Sequence, residues 1–143
     1  MMNLLRFLTY LLCLMLATTA CTTRERPTHR GADADPAAVP DLTGEYVVNG
    51  VDPRGTEYSG TLIIKPGASP TEYELQWIIV GSLQAGTGKL SGNQLLVEWR
   101  ALEGTTEARG TAVLTVTVNG ELYGTRRVEG LDAEGTETAF PNK

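Results

Sequence analysis

The chain has 143 residues, a formal charge of −5 at pH 7 and 41% hydrophobic residues. That suffices for one modest core, and the acidic balance speaks against a nucleic-acid-binding surface. A single histidine and two cysteines leave too few ligands for a His/Cys zinc site within one chain, and no histidine falls between residues 42 and 140 to act as base for serine- or cysteine-type nucleophilic catalysis.

Residues 1–20 carry Arg6 near the amino terminus, an apolar run from Phe7 to Ala17, and then Thr18-Thr19-Ala20. The run is shorter than the roughly 20 apolar residues that a membrane-spanning helix needs, so the segment reads as a processed signal peptide. Leu16-Ala17-Thr18-Thr19-Ala20-Cys21 resembles the lipobox of bacterial lipoproteins. The resemblance implies diacylation of Cys21, an N-terminal lipid anchor and attachment to a membrane of the cell envelope. Thr22 after the cysteine resembles the pattern of lipoproteins passed to the outer membrane of Gram-negative cells. Cys13 lies in the discarded segment, so Cys21 has no partner for a disulfide.

From Thr22 to Asp41 the chain holds three prolines, no aromatic residue and one branched aliphatic residue. This composition predicts a flexible tether over 21–41, with Arg24, Arg26 and Arg30 near its membrane end. His29 stands alone within it. A single domain is expected over 42–140, followed by a short tail at 141–143.

Period-two alternation places strands at Gly44–Val51, Thr56–Lys65, Glu72–Val80, Leu83–Leu90, Gln94–Ala101, Ala108–Val118, Glu121–Val128 and Thr136–Phe140. The joints are too short for crossover helices, so the fold class is all-β, an antiparallel up-and-down meander. The strand list fits a closed eight-stranded barrel, an open curled sheet or a two-sheet sandwich. Glycines inside strands, Gly60, Gly86, Gly88, Gly110 and Gly124, favour the curvature of the barrel. Asn119-Gly120 is the strongest turn signal, read as a type I′ hairpin.

Side-chain parity puts Tyr46 and Val48; Leu62 and Ile64 with Tyr58; Tyr73, Leu75, Trp77 and Ile79; Leu95, Val97 and Trp99; and Leu114, Val116 and Val118 on inward faces. Gly86-Thr-Gly-Lys-Leu-Ser-Gly92 is neither a dinucleotide fingerprint nor a phosphate loop, and no cofactor is implied. The carboxylates, including Glu121, Glu134 and Glu137, read as solvated surface, with no pair marked for general acid–base work. An enzyme is not expected.

Arg126 shares parity with Leu122, Gly124 and Val128. If that face is internal, the arginine must be paired, stacked on a ring or near a barrel mouth, because an unpaired buried charge is too costly. Gly44-Glu-Tyr46 opening the first strand, the meander and the late Arg126 resemble the small-barrel superfamily of lipocalins and avidins. That resemblance implies an aromatic ring from the first strand packed against the late arginine. Tyr58-Ser-Gly60 and Gly86 through Gly92 resemble segments of uncharacterised bacterial exported domains, which imply turns and packing but no active site.

Two functions follow. The first is a noncatalytic, lipid-anchored envelope protein that binds another envelope component through the barrel exterior or rim, with a candidate exterior patch at Tyr58, Tyr123 and Arg127. The second is a barrel binding a small apolar molecule in a pocket lined by Tyr46, Trp77, Trp99 and Arg126. An interior cavity above roughly 300 Å³ favours the pocket, and a filled interior removes it.

Overall fold

Alternation of side chains about each strand builds a wall with one apolar face, and in this protein the wall closes on itself. The computed structural model describes residues 29–104 and 108–142. The expected signal peptide, the lipidation site at Cys21, the membrane end of the tether and Glu107 lie outside the described residues. The strands are β1 (Gly44–Val51), β2 (Glu57–Pro66), β3 (Glu72–Ile79), β4 (Ser82–Ser91), β5 (Gln94–Glu103), β6 (Arg109–Val116), β7 (Leu122–Val128) and β8 (Glu134–Pro141). Each pairs antiparallel with its sequence neighbours, and β1 also pairs with β8, so the sheet is a closed up-and-down barrel. Closure leaves no unpaired edge to recruit another strand. Pro141, expected in a tail, is the last residue of β8, and Asn142 donates its backbone N–H to Glu45 O.

The inward residues form a single core containing Val48, Leu62, Ile64, Leu75, Trp77, Leu95, Leu114 and Leu122. Parity assigned nearly all of them correctly. Val118 is the exception at 55% exposure, because β6 stops at Val116 and Val118 N–H donates to Ala32 O in place of a strand partner. Curvature depends on glycine where neighbouring backbones press together. A Cβ on Gly124 would lie 1.8 Å from Val113 O, and one on Gly110 would lie 1.9 Å from Arg127 O. Only hydrogen fits there, which lets β6 and β7 coil tightly enough for eight strands to close.

The turn at Asn119-Gly120 differs from the expected two-residue hairpin. Thr117 N–H donates to Glu121 O and Gly120 N–H to Thr117 O, so the loop is the three residues 118–120, with Gly120 at φ +77°. The cause is tertiary: Val118 N–H is taken by Ala32 O instead of pairing across the hairpin. A glycine in the left-handed region closes such loops without strain.

Ala32 belongs to the segment expected to be a flexible tether. From Gly31 onward that segment instead crosses one end of the barrel and plugs it. Ala34 N–H donates to Val116 O, Asn93 Nδ2 to Ala34 O, and Gly31 N–H to Glu121 Oε2. Ala34 and Leu42 are buried in the core. Composition was misleading here because the plug needs few apolar groups of its own. It fills an opening whose walls are already apolar, and its backbone supplies most of the hydrogen bonds. Glu121, expected at the surface, is buried under this plug at 4% exposure, accepting from Gly31 N–H and from the Thr117 hydroxyl at 3.1 Å.

Candidate functional site

In the half of the barrel away from the plug, the apolar core gives way to a buried polar cluster. Arg126 on β7 donates from Nη1 to Glu137 Oε2 at 2.7 Å, and from Nη2 to Gln84 Oε1 at 2.7 Å. Glu137 on β8 also accepts from Trp77 Nε1 at 3.1 Å and from the Tyr58 hydroxyl at 2.6 Å. The guanidinium carbon lies 4.1 Å from the Trp99 ring centroid, 5.0 Å from that of Trp77 and 5.9 Å from that of Tyr58. Each close cation–ring approach contributes on the order of 0.5–2 kcal/mol. Every polar group in this set is paired, which is the condition for holding an ion pair away from water.

Glu137 was expected to be solvated, and the structure overturns this: it is 1% exposed. Alternation carried a signal, since Glu137 shares parity with Gly135 and with buried Ala139. The small neighbours on both sides hid it. Gln84 was likewise missed, although it shares parity with Gly86 and Gly88. The lipocalin-like likeness misassigned the ring. Tyr46 turns toward the plugged end and donates its hydroxyl to Leu42 O at 2.8 Å, while Trp99, Trp77 and Tyr58 take the place beside Arg126. The proposed pocket quartet is therefore split: Trp77, Trp99 and Arg126 meet, and Tyr46 serves the plug.

Around these groups the interior is closely packed at three glycines. A Cβ on Gly88 would lie 2.9 Å from Leu75 Cδ1 and 2.9 Å from Leu95 Cδ1, and one on Gly86 would lie 3.2 Å from the Trp77 ring. Nearer the far end, a Cβ on Gly50 would lie 2.3 Å from the Tyr58 ring. A core without room for one methyl group at these three places has no space for a ligand there.

Burial sets the ionisation of the tyrosines. Desolvation, reinforced by the Asp41 charge, pushes the Tyr46 phenol up to about 12. For Tyr58, burial and the adjacent Glu137 carboxylate raise it further, opposed by Arg126. Both hydroxyls are neutral when folded, whereas in the unfolded chain they ionise near pH 10. Their contribution to stability is thus complete below pH 10 and is lost as pH climbs from there through the raised native values. Spectrophotometric titration at 295 nm is expected to show Tyr46 and Tyr58 ionising only together with loss of near-UV dichroism. Their ionisation at pH 10 with the fold intact would contradict this burial.

The exterior residues do not form one patch. Tyr58 belongs to the interior cluster. Tyr123 packs edge-on against Phe140 with centroids 5.8 Å apart, and Arg30 lies 5.1 Å over its ring. Arg127 is exposed and paired with Glu134. Larger concavities lie on the outer wall. A groove of about 720 Å³ crosses β4 to β7 and is lined by Thr87, Glu98, Arg100, Arg109, Thr111 and Arg127, among others. A second, of about 880 Å³, lies across β1, β2 and β8 beside Asn49, Ser59, Thr138 and Phe140.

No protein-family model matches the sequence, and no curated protein matches it. Solved structures do match in shape. A redesigned β-barrel, mFAP1, bound to DFHBI superposes with a TM-score of 0.59 at 13% identity, covering 71% of this chain and 94% of that one. A second redesigned β-barrel gives 0.60 at 16% identity, covering 71% and 92%. A de novo fluorescence-activating β-barrel gives 0.56 at 19% identity, covering 70% and 93%. The fold is that of the small eight-stranded β-barrels. At these identities the likeness establishes architecture alone.

Proposed function

We propose that the protein is a noncatalytic recognition module, held at a membrane by lipid on Cys21, which binds another envelope component through the outer wall of its barrel. The observation that supports this reading is the contrast between the two faces of the wall. Inward side chains are spent on packing around Trp77 and Trp99 and on the Arg126–Glu137 pair, whereas the concavities of several hundred cubic ångströms are exterior. Gly31, near the start of the plug, hydrogen-bonds Glu121 at the plugged end. On this reading a lipid on Cys21 makes that end the membrane-proximal one and the opposite end, with the turns at 52–56, 80–81 and 129–133, the distal one. The β4–β7 groove lies in that distal half.

The test is to fill the groove. Thr111→Trp places an indole on its floor, where outward Thr111 faces Glu98 on one side and Arg127 on the other. With an unchanged melting temperature, the variant is expected to lose a component that the unaltered protein recovers from solubilised envelope. Equal recovery would remove this groove from the function.

A second reading is a small apolar ligand held at the end away from the plug, over Arg126. It is favoured by the partly exposed Gln84 and Tyr58 there, and by the shape likeness to a barrel solved with DFHBI bound. On this reading, adding DFHBI or a similar planar dye protects Gln84 and Tyr58 in nuclear magnetic resonance spectra. On the outer-wall reading those signals stay unmoved.

A further inference from the structure

The β4–β7 groove carries an arrangement that packing does not explain. Arg100 on β5 and Arg109 on β6 are direct cross-strand partners on the outer face. Like charges placed opposite one another weaken a sheet. Arg100 makes no ion pair among the described residues, and Arg127 comes from the next strand along the same groove. The span from Leu42 to Phe140 has only seven Lys/Arg against thirteen Asp/Glu. Three of the seven line one groove, two of them facing each other; Glu98 and Glu129 line it too, so arginines outnumber carboxylates there three to two in a domain where acid prevails.

The other two arginines are oriented as well as concentrated. Arg109 directs its Nε at Glu129, and Arg127 points its Nε and Nη2 at Glu134. Glu129 therefore engages the inner nitrogen of Arg109 and leaves both of its terminal Nη groups without hydrogen bonds among the described residues. Arginine forks of this kind match the paired oxygens of a phosphate or carboxylate. Thr87 and Thr111 add hydroxyl groups on either side of Glu98, and Leu131 supplies an apolar edge. Glu98 and Glu129 also line the groove and disfavour an anion beside them, which leaves Arg100 and the Nη side of Arg109 for it. This confines the charge to the Arg100–Arg109 end, toward the far rim of the barrel.

We infer that this end of the groove is an oxyanion site, taking the phosphate or carboxylate group of a small ligand that lies along the outer wall. The inference rests on the outer-wall reading above and names the chemistry of what that wall recognises. Bound anion neutralises the Arg100–Arg109 repulsion, so the cross-strand cost is recovered on binding.

The test titrates the intact protein with inorganic pyrophosphate and, separately, with citrate at constant ionic strength, following backbone amide shifts. Saturable shifts are expected at residues 98–100, 109–111 and 127–131, with affinity falling at least tenfold in Arg100→Gln and unchanged in Arg54→Gln. The stronger of the two probes identifies the anion as phosphate-like or carboxylate-like. Shifts that do not saturate, or that persist unchanged in Arg100→Gln, overturn the inference. If Arg100→Gln does not fold, Arg100→Lys replaces it: several-fold weaker binding supports the fork geometry, and equal affinity refutes it. The two readings fail separately. If Thr111→Trp abolishes envelope recovery while Arg100→Gln retains both recovery and anion binding, the outer wall stands and the oxyanion site falls. If neither variant loses recovery, the β4–β7 groove has no part in the function, and the oxyanion site falls as the chemistry that the wall recognises.

Discussion

Replacing Glu137 with alanine is expected to destabilise the barrel by about 3–5 kcal/mol, the usual cost of stranding one member of a buried ion pair. Arg126 would be left as a cation at 5% exposure with only Gln84 to receive it, and the Trp77 and Tyr58 donors would lose their acceptor. Arg126→Ala should cost a similar amount, because Glu137 would keep two neutral donors but lose its counter-charge. The informative variant is the double replacement Arg126→Met/Glu137→Leu. Swapping both charges for apolar groups of comparable volume removes the desolvation penalty along with the attraction, so it should lie much closer to the unaltered protein than either single variant. Urea unfolding followed by tryptophan emission measures all three, since Trp77 and Trp99 border the site. A loss below about 1 kcal/mol in Glu137→Ala would mean that the carboxylate is solvated after all.

Removal of the plug is the second large effect. A chain beginning at Ala37 should be less stable than one beginning at His29 by roughly 3 kcal/mol. It forfeits the backbone bonds at Ala32 and Ala34, the Asn93 and Gly31 contacts and the burial of Ala34. Each hydrogen bond contributes about 1 kcal/mol net, and groups left buried without partners cost more. Glu121 would lose the Gly31 amide, and Val116 O and Val118 N–H would need water. Paired thermal melts of the two chains decide the matter. Coincident melts would restore the reading of 22–41 as a tether that merely connects.

How far the fold was legible follows from which residues signal locally. Gly44–Val51 was delimited to the residue, because Tyr46 and Val48 alternate cleanly and the flanking glycine and aspartate stop the pattern. β8 was cut short at both ends. Glu134 and Pro141 look like loop residues, and only pairing with β7 and β1 makes them strand. The arginine problem was half legible: parity alone required Arg126 to be paired or stacked. It did not disclose the acceptor, because Glu137 sits eleven residues away among threonines and its role depends on two strands meeting.

What the sequence by itself determined is the alternating pattern, the count of strands, their meander order and the inward indoles, since each follows from the two-residue period and the length of the joints. Tertiary structure alone decided closure of β1 on β8, the plug formed by a segment poor in apolar residues, and the burial of Glu121 and Glu137. Those features depend on groups far apart in the chain satisfying one another's hydrogen bonds and charges. No local window of residues contains both halves of such a contact.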